Sequence, residues 1–139
     1  ALELRRRLDA AGVGLRCFEE SLVDMVWAGD RPPRPGAPAR LHPEHVAGRS
    51  ASEKLALVRT AMAAEGADAL VVAALDEVAY LLNLRGADVH CTPVVLAYAV
   101  VQTDSATLFV DGAKLPEDVR AALAATGVVV EPYAAAARR

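Results

Sequence analysis

The chain has 139 residues, a formal net charge of −3 and 24% charged residues, so its composition argues against nucleic acid or anionic lipid as a partner. The length suits one domain, and the low aromatic content of 4% predicts a core of Val, Leu and Ala. The longest apolar runs, 69–75 and 94–101, fall far short of the roughly 20 residues that cross a bilayer, so no membrane partner is expected. Cys17 and Cys91 lie outside any C-x-x-C pair, which predicts free thiols in a reducing cytoplasm and no structural zinc site.

The first 27 residues carry too few apolar side chains to form a core of their own. Leucines at positions 2, 4 and 8 predict a helix that ends at Gly12, and a short strand is expected over Gly14–Phe18. Ser21–Trp27 has the spacing of a short helix. We interpret residues 1–27 as the tail of a preceding domain. Because the chain opens without methionine inside an amphipathic pattern, we expect it to be a piece of a longer protein.

Residues 28–49 form the predicted linker. Four prolines lie between Pro32 and Pro38, and proline forces itself and the residue before it toward extended geometry. An extended crossing between two domains is the favoured interpretation, with a surface loop or a proline-rich ligand motif as alternatives. His42 and His45 are spaced so that both could reach one metal ion, but with Pro43 between them and no third ligand nearby we favour a solvated pair.

A regular alternation of helices and strands begins at residue 50. Ser52 precedes a predicted helix, Gly66 stops it, and Gly86 is expected to supply the left-handed turn that closes the next helix. The predicted elements are a helix over 53–65, a strand over 69–73, a helix over 76–84, two hairpin strands over 94–102 and 106–111, a helix over 116–126 and a strand over 128–131. This order predicts an α/β domain with a mixed sheet flanked by helices.

The segment 83–94 is the one place where several reactive side chains gather. It puts Arg85, Asp88, His90 and Cys91 in a loop between a predicted helix and a buried strand. An internal Arg85–Asp88 ion pair that shapes the loop is one interpretation, and contact with a partner is the other. Asp76–Glu77, which could be an acid/base pair, is better explained by the positive end of the helix dipole. No nucleotide-binding, zinc-protease or serine-hydrolase motif is present, so we assign no catalytic and no metal-binding residue.

Residues 75–86, Leu-Asp-Glu-Val-Ala-Tyr-Leu-Leu-Asn-Leu-Arg-Gly, with Asp88-Val89 and Pro93-Val94 after them, resemble the second domain of three-domain Xaa-Pro aminopeptidases. Further matches lie at Leu22–Trp27 with the following Arg-Pro-Pro, at Leu108–Gly112 and at Glu131–Tyr133, in the order of that family. The resemblance therefore covers residues 21–133. Ala87 stands where many relatives have serine, and Cys91 stands where they often have histidine or tyrosine.

The resemblance implies a creatinase-like N-terminal fold, a mixed sheet with helices on both faces, with residues 50–133 as the second such domain. In that family a C-terminal catalytic domain holds two divalent metals, usually manganese, and removes an N-terminal residue that precedes proline. That domain is absent from this sequence, and no metal ligand can be assigned. The resemblance thus implies a cytoplasmic, non-catalytic middle portion that covers the active-site cleft, partners the catalytic domain and supports a homo-oligomer. A free-standing binding or assembly module of the same fold is the alternative.

Two expectations concern the loop from Leu84 to Pro93. In one, Arg85 and Asp88 merely fix the loop. In the other, which we favour, Arg85, Asp88 and His90 face the cleft of the catalytic domain, where the fork of donors on Arg85 suits a carboxylate or a peptide carbonyl.

Overall fold

A computed structural model describes residues 2–18 and 21–138, and the chain divides into two compact units with their boundary between Arg34 and Pro35. The first unit contains helices α1 (Leu2–Ala10) and α2 (Leu22–Trp27), neither of which buries a residue. The strand predicted over Gly14–Phe18 is wrong, since these residues have no regular structure. A strand needs a neighbour for its backbone hydrogen bonds, and none pairs with it in the described part of the chain.

The second unit is an α/β structure built on a mixed four-stranded sheet. Its elements in chain order are β1 (Arg40–Leu41), α3 (Glu44–Ala47), α4 (Ala51–Ala64), β2 (Ala69–Val72), α5 (Leu75–Leu81), β3 (Leu84–Arg85), β4 (Ala97–Gln102), β5 (Ala106–Val110), α6 (Glu117–Ala125) and β6 (Val128–Pro132), with short 3₁₀ helices at Gly112–Lys114 and Tyr133–Arg138. The strand order is β2-β4-β5-β6; β2, β4 and β5 pair antiparallel, and β6 runs parallel to β5. The predicted α/β class and mixed sheet are confirmed.

The core lies between one face of this sheet and helices α4, α5 and α6. Alternate residues of a strand point to opposite faces, and the set on β4 that faces the helices is fully buried. Leu55, Val78 and Val119, one from each helix, are among the most buried side chains. The 3₁₀ helix Tyr133–Arg138 lies on the other face, where the ring of Tyr133 packs against that of Tyr98 at a centroid distance of 5.3 Å.

The second half of the predicted linker is folded into the second unit. Ala39 is 2% exposed, and its amide donates to the carbonyl of Lys114 over 2.7 Å. Strand β1 pairs antiparallel with β3, a strand that the sequence did not predict. A two-residue strand carries no readable alternation, so this pairing was not visible in the sequence.

Two helix ends differ from their predicted positions. Helix α4 is capped by Ser50 instead of Ser52, because the Ser50 hydroxyl accepts from the Glu53 amide while the Glu53 carboxylate accepts from the Ser50 amide. Helix α5 ends at Leu81, before the predicted Leu84, because Asn83 takes a left-handed conformation with φ of 52°. Within the described residues, no helix combines the length and apolar character needed to cross a bilayer.

Candidate functional site

The loop that carries Arg85, Asp88 and His90 begins at a buried polar cluster around Asn83. The ammonium group of Lys54, which lies on α4, donates to the carbonyl of Tyr80 at 2.8 Å and to Oδ1 of Asn83 at 2.6 Å. The Asn83 amide group donates to the carbonyl of Arg49 at 2.9 Å. Both Lys54 and Asn83 are buried, so the end of α5 is attached to the start of α4 by hydrogen bonds shielded from water.

Lys54 and Arg85 both act on the last turn of α5. Nη1 of Arg85 donates to the carbonyl of Ala79 at 2.8 Å, and Lys54 reaches the next carbonyl along, that of Tyr80. The last carbonyls of a helix have no partner within the helix and carry its negative dipole end, which cations stabilise. Burial lowers the pKa of Lys54, and the positive charges of Arg85 and Arg49 lower it further. Lys54 also lies 3.9 Å from the centre of the Tyr80 ring.

Gly86 is required by close packing. A Cβ at this position would lie 2.6 Å from Cγ2 of Val95 and 2.9 Å from the carbonyl oxygen of Val94. The prediction that Gly86 supplies a left-handed turn is wrong, since Asn83 does so and Gly86 has no positive φ. The loop thus passes directly over the chain that leads into β4.

Asp88 is an internal anchor of the loop. Its side chain is 0% exposed and forms an ion pair with Lys114, which is itself 3% exposed. The Leu96 amide donates to Oδ2 of Asp88 at 2.6 Å, while Oδ1 has no hydrogen-bond partner among the described residues. The Arg85–Asp88 pair considered from the sequence is therefore replaced by an Asp88–Lys114 pair that joins the loop to the 3₁₀ helix Gly112–Lys114.

His90 and Cys91 lie at the exposed tip of the loop. The Thr92 amide donates to the Val89 carbonyl at 3.1 Å, which closes a turn with Cys91 at φ of 59°. Both side chains at the tip face solvent. The three sequence-predicted residues therefore occupy three settings: His90 is exposed, Arg85 is half-buried on the helix end, and Asp88 is enclosed.

His42 directly follows β1, the strand that pairs with β3, and its amide donates to the carbonyl of Asn83 at 2.7 Å. Partial burial lowers the pKa of His42, and the nearby charges of Arg85, Arg40 and Lys54 lower it further. A histidine held neutral suits a metal ligand, yet the described residues contain no group of three or more His, Cys, Asp or Glu side chains that could hold a metal ion.

Lys54 and Lys114 are the residues that sequence reasoning missed. Lys54 stands in a segment that was predicted as helix, and Lys114 stands between a predicted strand and a predicted helix. A lone lysine in either place normally indicates a solvated position. The chain contains only these two lysines, and both are 3% exposed. The scarcity of lysine beside arginine was the one signal in the sequence, and it identifies no partner.

Residues 30–139 match the model of the family described as Creatinase/Prolidase N-terminal domain. Among curated proteins, the chain is 47% identical over 122 residues to a probable Xaa-Pro aminopeptidase P of Sordaria macrospora, and 46% identical over 122 residues to that of Neurospora crassa. Each alignment covers 88% of this chain, but only 20% and 18% of the respective relatives. The chain thus spans about a fifth of the length of these relatives.

The fold is also similar to a solved structure. The crystal structure of X-prolyl aminopeptidase from Caenorhabditis elegans, described as a cytosolic enzyme with a di-nuclear active site, superposes with a TM-score of 0.90 at 32% sequence identity. The superposition covers 96% of this chain and 22% of that one.

Proposed function

The chain belongs to the creatinase/prolidase N-terminal domain family, and from that premise we propose that it is the non-catalytic middle portion of a metal-dependent Xaa-Pro aminopeptidase. The observation that carries this proposal is the sequence identity to relatives named Xaa-Pro aminopeptidase P over nearly the whole chain. In this arrangement residues 1–27 are the tail of a preceding domain of the same kind, and the unit that begins at Pro35 contains the second domain expected over residues 50–133.

The chemistry is proposed to belong to a separate catalytic domain. The described residues hold no cluster of metal ligands, so the two divalent metals of such an enzyme, which we expect to be manganese, would be bound outside them. Such metals supply hydroxide at neutral pH and stabilise the displaced oxygen. The role proposed for this chain is to cover the active-site cleft and to support a homo-oligomer, in an enzyme of the cytoplasm.

The loop 84–93 is the surface we propose to face that cleft. Its tip presents His90, while Asp88 and Lys114 hold the loop to the body of the unit. Arg85 uses Nη1 on two carbonyls, those of Ala79 and Leu84, so its first task in this proposal is to support the end of α5. His90 is therefore the side chain expected to meet the partner domain.

The proposed function is tested by comparing the 139-residue chain with the full-length protein. Peptides with proline in the second position are incubated with each protein, with and without manganese. We expect release of the N-terminal residue by the full-length protein alone. Release by the 139-residue chain above a buffer blank, or no release by a folded full-length protein with metal bound, would contradict the proposal.

The role of the loop is tested in the same assay by His90→Ala in the full-length protein. His45→Ala is the matched control, because His45 is also exposed but lies on α3. We expect kcat/KM to fall for His90→Ala and to stay unchanged for His45→Ala. Equal values for the two variants would show that the loop tip does not face the cleft.

A further inference from the structure

Strand β2 is an edge of the sheet that lacks the usual protection of an edge. In the described part of the chain its only strand partner is β4, so its outer side offers free backbone donors and acceptors. Exposed edges normally carry a charge, a proline or a bulge that blocks further pairing. The opposite edge, β6, carries Glu131 and Pro132, whereas β2 reads Ala-Leu-Val-Val. Only one of the two edges is built to remain unpaired.

An apolar groove lies on each side of the β2 edge. On the helix-covered face, a groove of about 550 Å³ is lined mainly by apolar residues such as Leu57 and Leu70, with Asp76 and Glu77 at its α5 side. On the other face, a groove of about 680 Å³ is lined by residues that include Val71 and Val100. Val71 is 67% exposed and the residues beside it in this groove are mainly apolar, so the edge presents an apolar patch to solvent.

We propose that β2 pairs with an additional strand whose alternate apolar side chains fill these two grooves. Successive side chains of a strand point to opposite faces of the sheet, so one extended segment reaches both grooves at once. Backbone hydrogen bonds to β2 supply the register, and the grooves select apolar residues at every position that they enclose. The segment is uncharged along the stretch that lies beside Leu70 and Val71.

The occupant is a segment of the same full-length polypeptide, outside these 139 residues, and this rests on the proposed function. The chain spans about a fifth of the relatives it matches, so a long polypeptide is available to supply the strand. In a four-residue edge strand, the amide and carbonyl groups of only about half of the residues point away from the sheet. These groups form too few hydrogen bonds to hold a separate molecule firmly. An intramolecular strand needs far less intrinsic affinity, because its effective concentration reaches the millimolar range.

Amide hydrogen exchange tests this pairing in the 139-residue chain, at a concentration where it is monomeric, and in the full-length protein. We expect the outward amides of Ala69–Val72 to exchange at least about 100-fold more slowly in the full-length protein. Equal rates in the two proteins would overturn the inference. Protection that appears in the 139-residue chain only as its concentration rises would also overturn it, because the occupant would then be a second copy.

Two matched single variants of the full-length protein test whether the protection of the β2 amides arises from the groove beside β2. Val71→Lys puts a charge into the groove beside β2, while Val129→Lys puts one on the same sheet face at β6, where Val129 is 54% exposed. We expect Val71→Lys to reduce the protection of β2 by at least about tenfold and Val129→Lys to leave it unchanged. Equal effects of the two variants would contradict the proposed pairing.

Peptidase activity measured on the same wild-type sample separates the two proposals. An active full-length protein with unprotected β2 amides would overturn this inference alone. A protected β2 in a protein without peptidase activity would overturn the proposed function alone.

Discussion

Asp88 and Lys114 are 26 residues apart in the chain, yet they form the one ion pair in the described residues that is closed off from water. Removing one partner of such a pair leaves the other charge unpaired in the interior, which costs about 3–5 kcal/mol. Replacing both partners costs much less. We therefore predict that Lys114→Met lowers the free energy of unfolding by about that amount. The double variant Asp88→Asn/Lys114→Met is expected to recover part of the loss.

Urea unfolding of the wild type, the two single variants and the double variant measures this coupling. The energy of the pair is the departure of the double variant from the sum of the single effects. Strictly additive effects would mean that the contact between Asp88 and Lys114 contributes nothing of its own.

Gly86 is a second residue with a definite expected cost. In Gly86→Ala the new methyl group meets the Val94 carbonyl oxygen at 2.9 Å, and that oxygen can move only with the backbone. We predict a loss of roughly 1–3 kcal/mol in the free energy of unfolding, typical of overpacking. Gly36→Ala is the control, because nothing lies within 4 Å of its Cβ position and its φ is not positive. A Gly86→Ala variant as stable as Gly36→Ala would contradict the close approach.

At the scale of elements, the end of α5 depends on Lys54. Lys54→Met leaves Oδ1 of the buried Asn83 without its donor, and an unsatisfied buried acceptor costs roughly 1–3 kcal/mol. The pKa of Lys54 in the folded chain lies below the ordinary 10.5, chiefly because of burial. Between the folded pKa and 10.5 the unfolded chain binds more protons at this residue, so the stability that Lys54 contributes rises with pH.

The stability difference between the wild type and Lys54→Met is therefore predicted to increase as pH rises through the folded pKa toward 10.5. Urea unfolding of both proteins from pH 8 to pH 10 measures it, since His42, whose pKa Lys54 also lowers, is neutral over this range. A difference that is constant with pH, or that shrinks as pH rises, would show that burial does not lower this pKa.

The elements differ in how far the sequence could predict them. The helices α4, α5 and α6 were predicted because their apolar residues recur at helical spacing, and the strands β2, β4, β5 and β6 because each is a short continuous apolar run. The two-residue strands β1 and β3 were missed, since pairing decides them and a pair is not a local property. The same holds for the site: the sequence located the loop around Arg85, but the partners of that loop, Lys54 and Lys114, come from distant segments.

At the scale of the whole molecule, burial is concentrated in the second unit. Every buried apolar residue in the described part of the chain lies at Ala39 or beyond, while helices α1 and α2 bury none. The stability of the chain should therefore reside in the segment that begins at Pro35. The boundary at residue 50 expected from the sequence would remove Ala39 and strand β1 from that segment.

Two truncations compare these boundaries directly. A chain of residues 35–139 keeps the buried Ala39 and the pairing of β1 with β3, so we predict that it unfolds within about 0.5 kcal/mol of the 139-residue chain. A chain of residues 50–139 loses both features and also the His42 amide that donates to Asn83, so we predict a loss of roughly 2–4 kcal/mol. Urea unfolding monitored by circular dichroism measures all three. If the two truncated chains are equally stable, the boundary lies at residue 50, as expected from the sequence. A large loss in the free energy of unfolding of 35–139 would mean that the first unit stabilises the second.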